Sequence, residues 1–158
     1  MNSLIDQIDS LLKSGGNRES VLEQTLRETL KQFQSETGTI HVLDRDKKSL
    51  HLAMQVGLPL AMLEVVKRIP VGKGIAGETV ARGGPVTMCN LQTDTTGVAK
   101  PGARRTGVGG ALCVPLRDGD AIVGALGVGT ARPYEYTPEE TRLLEEIGRL
   151  VGAHVSPG

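Results

Sequence analysis

The sequence predicts an α+β domain in which a central antiparallel sheet of five to six strands is bracketed by helices at both ends of the chain. Three observations carry this. Apolar residues recur three and four apart near each terminus, the spacing that lines one face of a helix. Residues 39–43 and 50–56 switch to a period of two, the signature of half-buried strands. Two further apolar runs, 111–116 and 121–128, the second punctuated by glycine, are joined by a tight polar turn.

Each element has its own local cause. Leu4, Ile5, Ile8, Leu11 and Leu12 share a helical face, and Gly15 and Gly16 mark its end. Asn17 is a good cap, because its side-chain oxygen can accept from the exposed N–H groups of a first turn, so a second helix is expected to begin there. Its stripe is Leu22, Leu26, Thr29, Leu30 and Phe33, and Gly38 is expected to close it. In the next segment Leu50, Leu52, Met54 and Val56 alternate against His51, Ala53 and Gln55. The short polar link 44–49 makes strands 39–43 and 50–56 an antiparallel hairpin. A helical segment after Leu58-Pro59 should end near Lys67. The glycine-marked passage IPVGKGIAGETVARGGPVTM then predicts a short helix over 75–82 and an extended piece at 85–88.

Residues 90–110 show no sustained apolar period and read as a long loop, a feature more often functional than idle in a compact domain. Strands 111–116 and 121–128 follow, joined by Arg117-Asp118-Gly119-Asp120. The last helix has the best-marked start: Thr137 as N-cap, Pro138 at the first helical position and Glu140 at the third form a capping box. Leu143, Leu144, Ile147, Leu150 and Val151 supply its apolar face, and His154 near its end suits the helix dipole. Residues 1–16 are thus read as an N-terminal helix, and 17–155 as the domain proper.

Composition narrows the function. Lysine plus arginine total 18 and aspartate plus glutamate total 18, so the chain lacks the net positive charge that drives nucleic-acid binding by counterion release, and nucleic acid is not an expected partner. No run approaches the roughly 18 apolar residues of a membrane span, and the opening lacks the basic-then-apolar order of a secretory signal. A cytoplasmic protein without membrane contact is the expectation. Cys89 and Cys113 stand in unrelated contexts without CxxC spacing and read as reduced packing thiols. With Phe33, Tyr134 and Tyr136 as the only aromatic residues, the core must be aliphatic and a base-stacking platform or aromatic cage has little to draw on.

Four passages, taken with their order and spacing, resemble the GAF domain family from about Asn17 to Val155. They are TIHVLDRDKKSLHLAMQVG, IPVGKGIAGETVARGGPVTMCNLQTD, GGALCVPLRDGDAIVGALGVGTARPYEYTPEETRLLEEI and the capped helices at each terminus. The resemblance implies a fold related to the profilin and PAS folds, with terminal helices on one face of the sheet and a ligand pocket on the other, roofed by the irregular middle segment. It also implies a sensory or regulatory role, since function in such a domain lives in the pocket and not in the fold.

Gly72, Gly74 and Gly77 with Lys73 could form a phosphate-cradling loop, but the passage lacks the Gly-Lys-Ser/Thr ending of a P-loop, and a structural turn into a short helix explains it better. His41 and His51 would face each other across the hairpin if Leu43 paired with Ser49, a spacing that could hold a metal, yet no third ligand lies nearby. Cys113 and Cys89 could be pocket thiols. The cysteine set of the family's free methionine sulfoxide reductases is absent, however: Ala76 occupies the GIAG segment and the loop 90–110 has no cysteine. Neither cysteine is followed by histidine, as in bilin-carrying members, and Thr130 and Arg132 stand where the Asn-Lys element of cyclic-nucleotide-binding members should fall. Arg104, Arg105 and Thr106 would lie at the pocket rim, where guanidinium groups suit a carboxylate or phosphate.

The expected ligand-binding residues are therefore Arg104, Arg105, Thr106, Cys113 and Cys89. The expected function is a non-enzymatic sensor that binds a small molecule, needs no cofactor and passes its state to an output domain or partner protein. The rivals are a ligand-free dimerisation module and a sulfoxide-reductase-like redox enzyme. A homodimer is expected because the apolar stripes of the terminal helices look too wide for one sheet face, and because Gly148 and Gly152, four apart, would let another helix approach closely.

Overall fold

The computed structural model describes residues 3–88 and 109–155. In chain order the elements are α1 (Ser3–Lys13), α2 (Arg18–Phe33), β1 (Thr37–Leu43), β2 (Ser49–Val56), a 3-10 turn (Leu60–Met62) leading into α3 (Leu63–Val66), β3 (Arg68–Pro70), α4 (Gly74–Arg82), β4 (Val86–Met88), β5 (Ala111–Asp118), β6 (Ala121–Gly129) and α5 (Pro138–Val155). The strands form one antiparallel sheet in the order β3-β2-β1-β6-β5-β4.

Caps explain the helix starts. Asn17 Oδ1 accepts from the Ser20 N–H at 3.1 Å. The Glu140 N–H donates to Thr137 Oγ1 at 3.1 Å while Glu140 Oε1 accepts from the Thr137 N–H at 2.7 Å, the reciprocal box predicted for α5. The end of α2 differs from the expectation. Gln34, at a left-handed φ of 50°, terminates it, with its own N–H and that of Ser35 returning to the carbonyls of Lys31 and Leu30. Gly38 lies beyond, inside β1, where a Cβ would meet Leu26 Cδ1 at 2.8 Å. Its role is to let α2 lie close against the sheet.

The two-residue period of the strands sorts side chains between two cores. Ile40, Val114, Leu116 and Leu126 point to the face covered by α1, α2 and α5, and join Leu26, Leu144 and Ile147 in the main core. Leu50, Cys113 and Ala125 point to the other face, where Ala76 of α4 meets them in a smaller cluster. This confirms an α+β fold with terminal helices on one side of an antiparallel sheet of six strands. The strand the sequence did not announce is β3, only three residues long and ending in Pro70, whose place depends on pairing with Ser49–His51 of β2.

Two arguments for a dimer are corrected. Of the α1 stripe, Leu4, Ile8 and Leu12 are buried inside the chain, against α2 and α5, and Leu11 is half-buried. Gly148 and Gly152 receive no second helix: a Cβ at either would run into main-chain atoms of β5, the Pro115 carbonyl oxygen at 2.9 Å in the first case and Arg117 in the second. They are small so that α5 can press onto its own sheet. Among the described residues no helix is long and apolar enough to cross a membrane.

Candidate functional site

On the sheet face away from the terminal helices lies a cavity of about 280 Å³, between β1, β5 and β6 below and the α3–β3–α4 passage above. Alternation along the strands sets its floor: Thr39 and His41 of β1, Cys113 of β5 and Gly127 of β6 all project to this side. A Cβ at Gly127 would sit 3.1 Å from Thr39 Oγ1 and 3.7 Å from Cys113 Sγ, so glycine there keeps the floor low. Val65, Val66, Ile69, Ile75 and Ala76 make apolar walls.

The wall from β3 into α4 is built by glycine geometry. Gly72 and Gly74 take positive φ of 90° and 62°. The Gly72 N–H donates to the Gly77 carbonyl at 2.9 Å, and a Cβ at Gly77 would strike the backbone of Pro70 and Gly72. GKGIAGE is thus a turn that seats the start of α4 at the cavity, as its structural reading held. Lys73 stands at the N-cap and gives the helix no side-chain cap bond.

His41 is 2 % exposed. Its Nε2 lies 2.9 Å from the Val66 main-chain oxygen; since a carbonyl only accepts, Nε2 carries the proton. Burial pushes the ring's pKa below its ordinary value of 6.5, against the Val66 bond that raises it, and repulsion from His51 adds to the lowering. The ring is neutral, and no described residue reaches its Nδ1, which is left as a buried acceptor. The expected facing of His41 and His51 does not occur. The hairpin pairs Leu43 with Leu50 instead of Ser49, which places Val42 opposite His51 and His41 opposite Leu52. The offset separates the rings: His41 lines the cavity, whereas His51, 2.7 Å from Asp44 Oδ1, borders a depression beside Asn17 and Leu22. Among the described residues no group of three or more His, Cys, Asp or Glu could hold a metal ion.

Of the predicted site residues, Cys113 is described and lies in the cavity floor, but its chemistry is muted. Burial pushes the thiol up to about 12, only partly opposed by a hydrogen bond with Thr79, so thiolate is scarce at neutral pH. Cys89, Arg104, Arg105 and Thr106 lie outside the described residues. Sequence reasoning missed Arg68 and, as a site residue, Lys73, the two cations that line the described cavity. Lys73 was visible inside GKGIAGE. Arg68 could not be found without knowing that β3 exists.

A six-stranded antiparallel sheet with chain-terminal helices on one face and a cavity under a short-helix roof on the other defines a pocket-bearing α+β domain. The family model for the GAF domain matches residues 16–156, and the chain belongs to the GAF domain family. Solved structures agree on the fold. The GAF domain of a phosphoenolpyruvate-protein phosphotransferase from Coxiella burnetii superposes with a TM-score of 0.81 at 16% identity, over 97% of this chain and 90% of that one. The corresponding Acinetobacter domain gives 0.80 at 17% identity, over 96% and 90%. A free methionine-R-sulfoxide reductase from Neisseria meningitidis, solved with its substrate, gives 0.77 at 20% identity, over 96% and 85%. No curated protein matches the chain.

Proposed function

We propose that this GAF domain is a sensory module that binds a small molecule in the cavity over β1, β5 and β6 and signals through its terminal helices. The observation that carries the reading is the cavity itself, just below the about 300–1,000 Å³ typical of ligand sites and lined by apolar side chains with a few polar groups. Packing supplies a route outward. Cys113 of β5 lies in the floor, and two residues on the main chain of the same strand takes α5 against Pro115 and Arg117 through Gly148 and Gly152. A ligand that shifts β5 shifts α5 with it, provided it binds the two arrangements with different affinity. The raised pKa of Cys113 favours this reading over a thiol-based enzyme.

Half-buried Ile5, Leu143 and Leu150 remain on the outer sides of α1 and α5, and a second copy or an output domain would receive the signal there. Native mass spectrometry of protein purified without denaturation tests ligand retention. A retained small molecule, lost in a variant with Ala76→Phe filling the cavity, is the expected result; a bare mass that no small-molecule screen changes would overturn it. Light scattering gives the oligomeric state directly.

A further inference from the structure

The cavity is electrostatically one-sided. Arg68 and Lys73 line it, and among the described residues no aspartate or glutamate does. The start of α4 adds to the same side: Gly74, Ile75 and Ala76, its first three residues, line the cavity, and no side chain caps them. Unpaired first-turn N–H groups carry the positive end of the helix dipole. Val65, Val66 and Ile69 of the α3–β3–α4 passage line the cavity with aliphatic side chains, and in its floor stands His41, neutral and buried, with an Nδ1 that no described residue satisfies.

We infer that the ligand is a small organic anion with an apolar body, its charged head held at the mouth by Arg68, Lys73 and the first turn of α4. This rests on the proposal that the cavity binds a small molecule and adds its chemical class. Arg68 can serve because its present partners hold it loosely: Ser49 Oγ is 3.4 Å and Asp44 Oδ2 3.9 Å from Nη2, and the side chain is largely exposed. A cationic ligand would face two like charges and a helix N-terminus. A neutral one would leave those donors without a charged acceptor while burying its apolar body equally well. A carboxylate and a phosphate monoester share the required head chemistry.

Four probes with one apolar body separate these cases: hexanoate, hexyl phosphate, hexanamide and hexylamine, titrated into the full chain by amide-resolved NMR. The expected result is that hexanoate or hexyl phosphate binds about tenfold or more tightly than hexanamide, with shifts centred on Gly74–Ala76. Added salt should weaken the anions and leave the amide unchanged. The stronger of the two anions identifies the head group. The Arg68→Gln/Lys73→Gln double variant, which changes exposed side chains, should remove most of the preference for the anion over the amide, leaving the part due to the first turn of α4. Equal or tighter binding of hexanamide or hexylamine would overturn the anion assignment and leave the cavity as a ligand site. Failure of all four probes to shift any cavity residue would overturn both.

Discussion

The Nε2 of His41 lies 2.9 Å from the main-chain oxygen of Val66, so one buried imidazole on β1 holds down the end of the short helix that roofs the cavity. The bond needs a proton on Nε2, which the neutral and the charged ring both carry; burial is what favours the neutral ring. Above the ordinary value of 6.5 the ring is neutral in both the folded and unfolded chain and stability is indifferent to pH. Below it the unfolded chain takes up a proton that the folded chain refuses down to its lower value, so stability falls as pH drops through that window. Urea unfolding should show a midpoint that declines from about pH 7.5 to about pH 5.5. His41→Gln, which keeps a donor for Val66, should remove most of that decline. An unchanged slope in the variant would assign it to other groups.

Gly152→Ala should destabilise the single chain by about 1–3 kcal/mol, since the new methyl group meets main-chain atoms of Arg117, which cannot move without shifting β5. Gly148→Ala, against the Pro115 carbonyl, should cost less. Chemical denaturation measures both. A loss of assembly with stability unchanged would restore the helix-to-helix role expected from the sequence.

Thr137→Ala removes the acceptor for the Glu140 N–H and should cost about 1 kcal/mol. Glu140 also accepts from the Tyr134 hydroxyl at 2.8 Å, tying the cap to the segment before it. Glu140→Ala should therefore cost at least as much, and the double variant less than the sum of the two. Thermal unfolding of the three variants checks the cycle.

Cys113 should resist alkylation by iodoacetamide in the native protein at about pH 8 and react once urea is added, because both burial and a thiol raised to about 12 disfavour the thiolate. Peptide mass spectrometry resolves its modification from that of Cys89. Rapid native labelling of Cys113 would show that the floor of the cavity opens.

Much of the scaffold was legible because its causes are local. Asn17, Thr137, Pro138 and Glu140 act within one helical turn of themselves, and the alternation along residues 50–56 needs only the pleat of its own strand. The reading failed where cause and effect lie far apart in the chain. Gln34 rather than Gly38 ends α2, because a Schellman turn tolerates a non-glycine residue while Gly38 is needed under Leu26. A one-residue difference in hairpin register, Leu43 paired with Leu50 and not Ser49, took His41 out of a metal-like pair and into the cavity. The site residues placed in the loop 90–110 lie outside the described residues, and those the structure supplies, Arg68 and Lys73, come from the α3–β3–α4 passage.

The sequence by itself determined the helices, the hairpins and the two-sided pattern of the strands, since periodicity and capping are properties of neighbours a few residues apart. Only the tertiary structure decided what those surfaces meet. It turned the stripe of α1 inward, set Gly148 and Gly152 against β5, placed β3 at the sheet edge and gathered His41, Arg68, Lys73 and Cys113 around one cavity. The physical reason is that burial rewards any apolar face that finds a partner and does not specify which. The choice among partners is made by register, close approach and main-chain hydrogen bonds between segments far apart in sequence.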